Sequence, residues 1–114
     1  MSAITTHVLD TAAGRPAAGV PVTLEAGDGA GGWREVGRGV TDADGRLRDL
    51  LPAGHGLAEG AYRLTFDVKS YFDARGVEGF YREVAVSFVV RDAGAHYHVP
   101  LLLSPYGYST YRGS

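Results

Sequence analysis

Two histidines separated by one residue, His96 and His98, are the side chains of this sequence best suited to proton chemistry near neutral pH, where imidazole titrates. If their segment is a strand, alternate residues project to one side with Cα atoms roughly 6.5 to 7 Å apart, so the two rings share a face. Tyr97, Val99, Leu101 and Leu103 form the opposite face and read as the core side. The histidines therefore face solvent, a partner subunit or a pocket. Three roles fit: exposed imidazoles, two ligands of a three-histidine zinc site, or acid-base groups. His7, on a predicted strand face with Thr5 and Leu9, would complete the zinc set, although no acidic residue stands ready to orient those ligands.

Other chemistries are narrowed by what the chain lacks. With no cysteine there is no thiolate nucleophile, thiolate zinc site or disulfide scaffold. Ser104, Ser109 and Ser114 sit outside any Gly-x-Ser-x-Gly elbow, and no carboxylate and base complete a serine triad. Gly27-x-Gly29-x-x-Gly32 matches a dinucleotide fingerprint in letters, but the strand-like Trp33-Arg-Glu-Val follows where a helix is needed, so it reads as a mobile surface loop. Asp42-x-Asp44-Gly45 is like a calcium loop, yet Val40 and Leu51 occupy ligand positions that a side chain must fill. Thr41-Asp-Ala-Asp-Gly-Arg46 is better explained as a turn that holds Arg46 at a strand edge. Asp10, shortly after His7, has the chemistry to bond the turn that follows it.

These groups need a scaffold, and its signature is β. Seventeen glycines punctuate short alternating runs, the pattern of an all-β sandwich or barrel in a single domain spanning residues 1–114. From Ala61 to Val68, Tyr62, Leu64, Phe66 and Val68 take one side; from Arg82 to Asp92, Val84, Val86, Phe88 and Val90 do. Weaker strands are expected at Ile4 to Leu9, Val20 to Ala26, Trp33 to Val40, His96 to Leu103 and Tyr106 to Tyr111, with one short helix from Lys69 to Arg75 stopped by Gly76. A formal charge of −2 with interspersed signs offers no broad basic face for nucleic acid or anionic lipid, and no apolar stretch is long enough for a membrane span. Met1 to His7 lacks the basic and apolar regions of a secretory signal, so a cytoplasmic protein is expected. The end from Tyr106, with three tyrosines and one arginine, has residue types enriched in interface cores.

The motifs also carry a resemblance that runs from the first strand to the last residue. Thr6-His-Val-Leu-Asp10, Gly14-Arg-Pro-Ala17, the Asp44-Gly-Arg46 turn, His96-Tyr-His-Val-Pro-Leu-Leu-Leu-Ser-Pro105 and the closing Tyr111-Arg-Gly-Ser114 resemble the signatures of the transthyretin-like 5-hydroxyisourate hydrolases. The closing tetrapeptide separates those hydrolases from transthyretin itself, the hormone carrier. The resemblance implies an antiparallel β-sandwich of about eight strands with one short helix, assembled as a homotetramer, a dimer of dimers with sites at the dimer-dimer interface. It implies hydrolysis of 5-hydroxyisourate in urate breakdown without a cofactor, with His7, Arg46 and His98 catalytic and Tyr111, Arg112 and Ser114 closing the pocket around substrate. His96 fits as a positioning group or, with His7 and His98, as part of an incidental zinc site. A carrier of small aromatic ligands and a zinc hydrolase remain the rival readings.

Overall fold

The computed structural model describes residues 2–52 and 55–114. Along the chain these form β1 (Ile4–Asp10), β2 (Arg15–Pro16), β3 (Pro21–Gly27), β4 (Trp33–Val40), β5 (Arg46–Leu47), β6 (Gly60–Phe66), α1 (Val68–Ala74), β7 (Val84–Val90), β8 (Tyr97–Ser104) and β9 (Gly107–Thr110). One sheet has the order β2-β1-β8-β9, with β5 also paired to β1, and the other β4-β3-β6-β7. The expected sandwich with one short helix is thus present. Its antiparallel order has one exception, because β1 and β8 run parallel, from Ile4 opposite Tyr97 to Asp10 opposite Leu103.

The core lies between the sheets and follows the alternation of the strands. Val8, Leu24, Leu64, Phe66, Leu101 and Leu103 are fully buried, each such side chain contributing roughly 1.5–3 kcal/mol by leaving water. On β7, Val84 and Val90 are buried, Val86 and Phe88 pack partly against the core, and Ala85, Ser87 and Val89 face outward. Val68 departs from its expected strand. The Asp67 carboxylate accepts the Ser70 N–H and caps a helix that begins at Val68, so the residue is buried by helix packing although its spacing continues the strand pattern. Gly76, at φ +68°, then ends the helical segment as expected. The Gly27–Gly32 loop is mostly exposed, and Asp28 accepts the N–H groups of Ala30 and Gly32 across it.

Asp10 does more than bond its turn. It is buried at the end of β1, where Oδ1 accepts the Ala13 N–H at 2.9 Å and Oδ2 accepts the Tyr71 hydroxyl of α1 at 2.8 Å. Burial, and then the carboxylate's hydrogen bond, push the Tyr71 phenol up to about 12, so it remains a donor at all ordinary pH. This contact ties the helix to the strand that carries His7. Tyr71→Phe is expected to cost about 1–3 kcal/mol by depriving a buried carboxylate of a donor, and Asp10→Ala at least as much. Urea denaturation with an unchanged m-value measures this; two losses below about 0.5 kcal/mol would mean that the contact contributes little.

Candidate active site

The turn that delivers Arg46 is built by backbone hydrogen bonds to one carboxylate. Asp42 Oδ1 accepts the N–H groups of Asp44 at 2.9 Å and Arg46 at 3.0 Å, which holds the Asp42 carboxyl below the usual carboxylate range, the Arg46 N–H contributing most. Gly45 adopts φ +75°, and a Cβ there would collide with the Val8 carbonyl, so the position requires glycine on two counts. The short β5 that follows pairs with β1 and sets Arg46 directly opposite His7. On the other side of β1, β8 sets His98 opposite Thr5. Opposed residues share a face, and so do Thr5 and His7 two residues apart, so one outer sheet face carries Arg46, His7, Thr5 and His98.

Hydrogen bonds fix the rings on that face. His7 Nε2 lies 2.9 Å from the Asp44 carbonyl, which can only accept, so Nε2 carries a proton and donates. The Thr5 hydroxyl, on a side chain only 3% exposed, meets His98 Nδ1 at 2.8 Å and His96 Nε2 at 3.1 Å. The His96 and His98 rings are nearly parallel, with centroids 6.4 Å apart. Beside them opens a cavity of about 740 Å³, lined by Thr5, Arg46, Arg48, His96, His98 and Ser114 among others, and none of its lining residues is acidic. Burial, then the positive charge of Arg46, and then the neighbouring imidazoles of His7 and His96 push His98 below the ordinary imidazole value. The ring is therefore a neutral proton acceptor at neutral pH.

Other expected residues are distributed differently. His7 orients beside Arg46 and is not itself part of the cavity lining. The chain end returns along β8, where the Gly113 N–H donates to the His98 carbonyl at 2.8 Å; this carries Ser114 to the cavity. Tyr111 and Arg112 lie instead along a separate groove of about 270 Å³ with Phe88, Tyr97 and Val99, so within one chain they do not close the His98 cavity. Arg112 stacks 4.5 Å over the Tyr97 ring and donates to the His96 carbonyl at 3.3 Å. Nor do His7, His96 and His98 gather round one point: among the described residues no group of three His, Asp or Glu side chains is arranged to hold a metal ion. Arg48 and Thr5 are among the cavity residues that the sequence did not single out. Arg48 gave no signal, whereas Thr5 stood two residues before His7 on the same strand face.

Comparison with known proteins places this geometry. The family described as HIUase/Transthyretin matches residues 4–113. The chain belongs to this family. A 5-hydroxyisourate hydrolase of Caulobacter vibrioides is 50% identical over 119 residues, covering the whole of both chains. Sea bream transthyretin, solved in complex with thyroxine, superposes with a TM-score of 0.91 at 33% identity, covering 98% of this chain and 95% of that one. The structure of Klebsiella pneumoniae 5-hydroxyisourate hydrolase gives a TM-score of 0.84 at 34% identity, covering 97% and 92%. The family thus includes a hormone-bound member and hydrolases on one fold, and backbone likeness does not choose between them.

The charges around His98 make a direct prediction. In a histidine NMR titration, His98 is expected to titrate below about 6.5, and Arg46→Leu to move it part of the way back up, since burial remains. A His98 midpoint above 6.5, or one that falls when Arg46 is removed, would contradict this electrostatic account.

Proposed function

We propose that the protein hydrolyses 5-hydroxyisourate, opening its six-membered ring to 2-oxo-4-hydroxy-4-carboxy-5-ureidoimidazoline in urate degradation. The observation that carries the reading is His98, a half-buried imidazole biased toward neutrality, in the same cavity as the Arg46 guanidinium and with no acidic side chain among the lining residues. Full-length similarity to a protein named for this activity supports it. A carrier of aromatic hormones needs a largely apolar site, and this cavity presents two arginines and two histidines.

In this mechanism His98 accepts a proton from the attacking water, and Arg46 stabilises the negative charge that gathers on the ring carbonyl oxygen. The carbon-nitrogen bond then breaks, and the proton is returned to the departing nitrogen, leaving a carboxylic acid that releases the water's second proton to solvent and pairs as carboxylate with the guanidinium. His7, opposite Arg46 in the strand pairing and held by the Asp44 carbonyl, acts in this mechanism from the Arg46 side of the site. The proton acceptor and the partner for the oxyanion are both side chains, so the chemistry calls for no cofactor. The assembly we propose is a homotetramer, a dimer of dimers, with the open cavity at the dimer-dimer interface. Ser114 serves the cavity of its own chain, and contact of Tyr111 and Arg112 with substrate falls across an interface to a neighbouring copy.

The test is the ultraviolet absorbance decay of freshly generated 5-hydroxyisourate, corrected for spontaneous decay, with protein exhaustively treated with chelator. Clear acceleration is expected, with turnover falling on the acid side through a midpoint below about 6.5. His98→Ala is expected to lose roughly 10²–10⁴-fold in kcat, and Arg46→Ala roughly 10²–10³-fold. No acceleration by folded protein would return the carrier reading, and activity restored only by added zinc would favour a metal hydrolase.

A further inference from the structure

The Thr5 hydroxyl has one proton to give, and two imidazole nitrogens lie within hydrogen-bond distance of it. Its side chain is 3% exposed, and it has no other acceptor among the described residues. Two bare nitrogens would leave one ring unpaired, because only one can take the hydroxyl proton. Two N–H groups would leave the buried hydroxyl proton without an acceptor, an arrangement that costs desolvation without return. Every partner is satisfied only when one ring donates to Thr5 and the other accepts from it.

We propose that Thr5 is a positioning residue of the hydrolase reaction, a hydroxyl bridge that makes the protonation states of His96 and His98 complementary and passes a proton between them. This rests on the hydrolase reading for its kinetic consequence and not for its tautomer consequence. In the resting state His98 donates from Nδ1 to Thr5 Oγ1, and Thr5 donates to the bare Nε2 of His96. That leaves His98 Nε2, which has no protein partner among the described residues, as the lone pair that takes the proton of the attacking water. The Nδ1 proton of His98 then moves to Thr5 Oγ1 as the Thr5 proton moves to His96 Nε2. His98 is again neutral, now with its proton on Nε2, and the positive charge has passed to His96.

The direction of this transfer follows from the surroundings. His98 is half-buried and faces Arg46 and His7, so an imidazolium there is penalised, whereas His96 is exposed at the cavity margin, where water solvates charge. When the departing nitrogen takes the Nε2 proton of His98, the two bridge protons run back and the resting state is restored. No proton is gained or lost over the cycle beyond those of the water that is added.

Nitrogen-15 NMR of the histidine rings in the wild-type protein, at a pH where both are neutral, is expected to show His98 protonated on Nδ1 and His96 bare on Nε2. Finding both rings protonated, or both bare, on the nitrogen facing Thr5 would overturn the bridge without any reference to activity. Thr5→Ser retains the hydroxyl and is expected to keep kcat within about threefold; Thr5→Val is expected to lose kcat by roughly 10- to 100-fold with KM changed by less than about threefold. His96→Ala, at an exposed position, should cost a similar factor and add little when combined with Thr5→Val. A folded Thr5→Val enzyme with wild-type kcat, equal losses in the serine and valine variants, or a loss confined to KM would each reject the proposal. If valine prevents folding, the wild-type spectrum and the serine and His96 variants still decide.

Discussion

Everything at this site hangs on the seven-residue parallel ladder between β1 and β8. Side chains on a strand alternate, so a slip of one residue would turn Thr5 and His7 into the core and bring Thr6 and Val8 out. The ladder is locked against that slip from both faces. Inward, Ile4 and Val8 are fully buried, and the Thr6 hydroxyl donates to the Val99 carbonyl at 2.6 Å. At the far end, Asp10 is held by Tyr71, which an error in register would pull from its buried acceptor. Core packing and one buried polar contact therefore determine which residues the outer face can offer to a ligand.

The same ladder explains how one fold serves unlike purposes. The inner faces of the sheets need only suitable apolar volume, so the fold can superpose on sea bream transthyretin at a TM-score of 0.91 with only 33% identity. The outer face of β1, β5 and β8 is free of it. Exchanging a few residues at Thr5, His7, Arg46, His96 and His98 would change the chemistry of that face without disturbing the core contacts of the opposite faces of those strands. Function resides here in the outward half of an alternating pattern, and stability in the inward half.

That division also governs what could be read from sequence. The core faces of β6, β7 and β8 were legible because burial imposes a period of two on Tyr62 to Phe66, Val84 to Val90 and Tyr97 to Leu103. The boundary at Val68 was not, since burial by a helix and burial by a sheet leave the same apolar letter. β2 and β5, two residues each, are too short to carry any period, although the Asp-Gly turn gave the position of Arg46. The parallel pairing of β1 with β8 joins residues some ninety positions apart and leaves no local trace, so Thr5 could be placed beside His7 but not beneath His98. The chain end is the sharpest case. Its motif was clear, yet only the bridge at Gly113 divides Ser114, on the cavity, from Tyr111 and Arg112, on another groove.

The electrostatics of the cavity set a problem that its hydrogen bonds answer. In a serine-protease triad a buried carboxylate stabilises the imidazolium formed when histidine takes a proton. Here the charged side chains that share the cavity with His98 are arginines, Arg46 above all, which keep the ring free to accept a proton at neutral pH but disfavour the charged state that acceptance creates. Those same cations suit an anionic substrate and an oxyanion, so removing them would sacrifice binding to improve the base. A base in such surroundings works best if the charge it acquires does not stay on it. In the relay proposed above, a buried hydroxyl in contact with a second, exposed imidazole provides that exit with no acidic side chain among the residues that line the cavity.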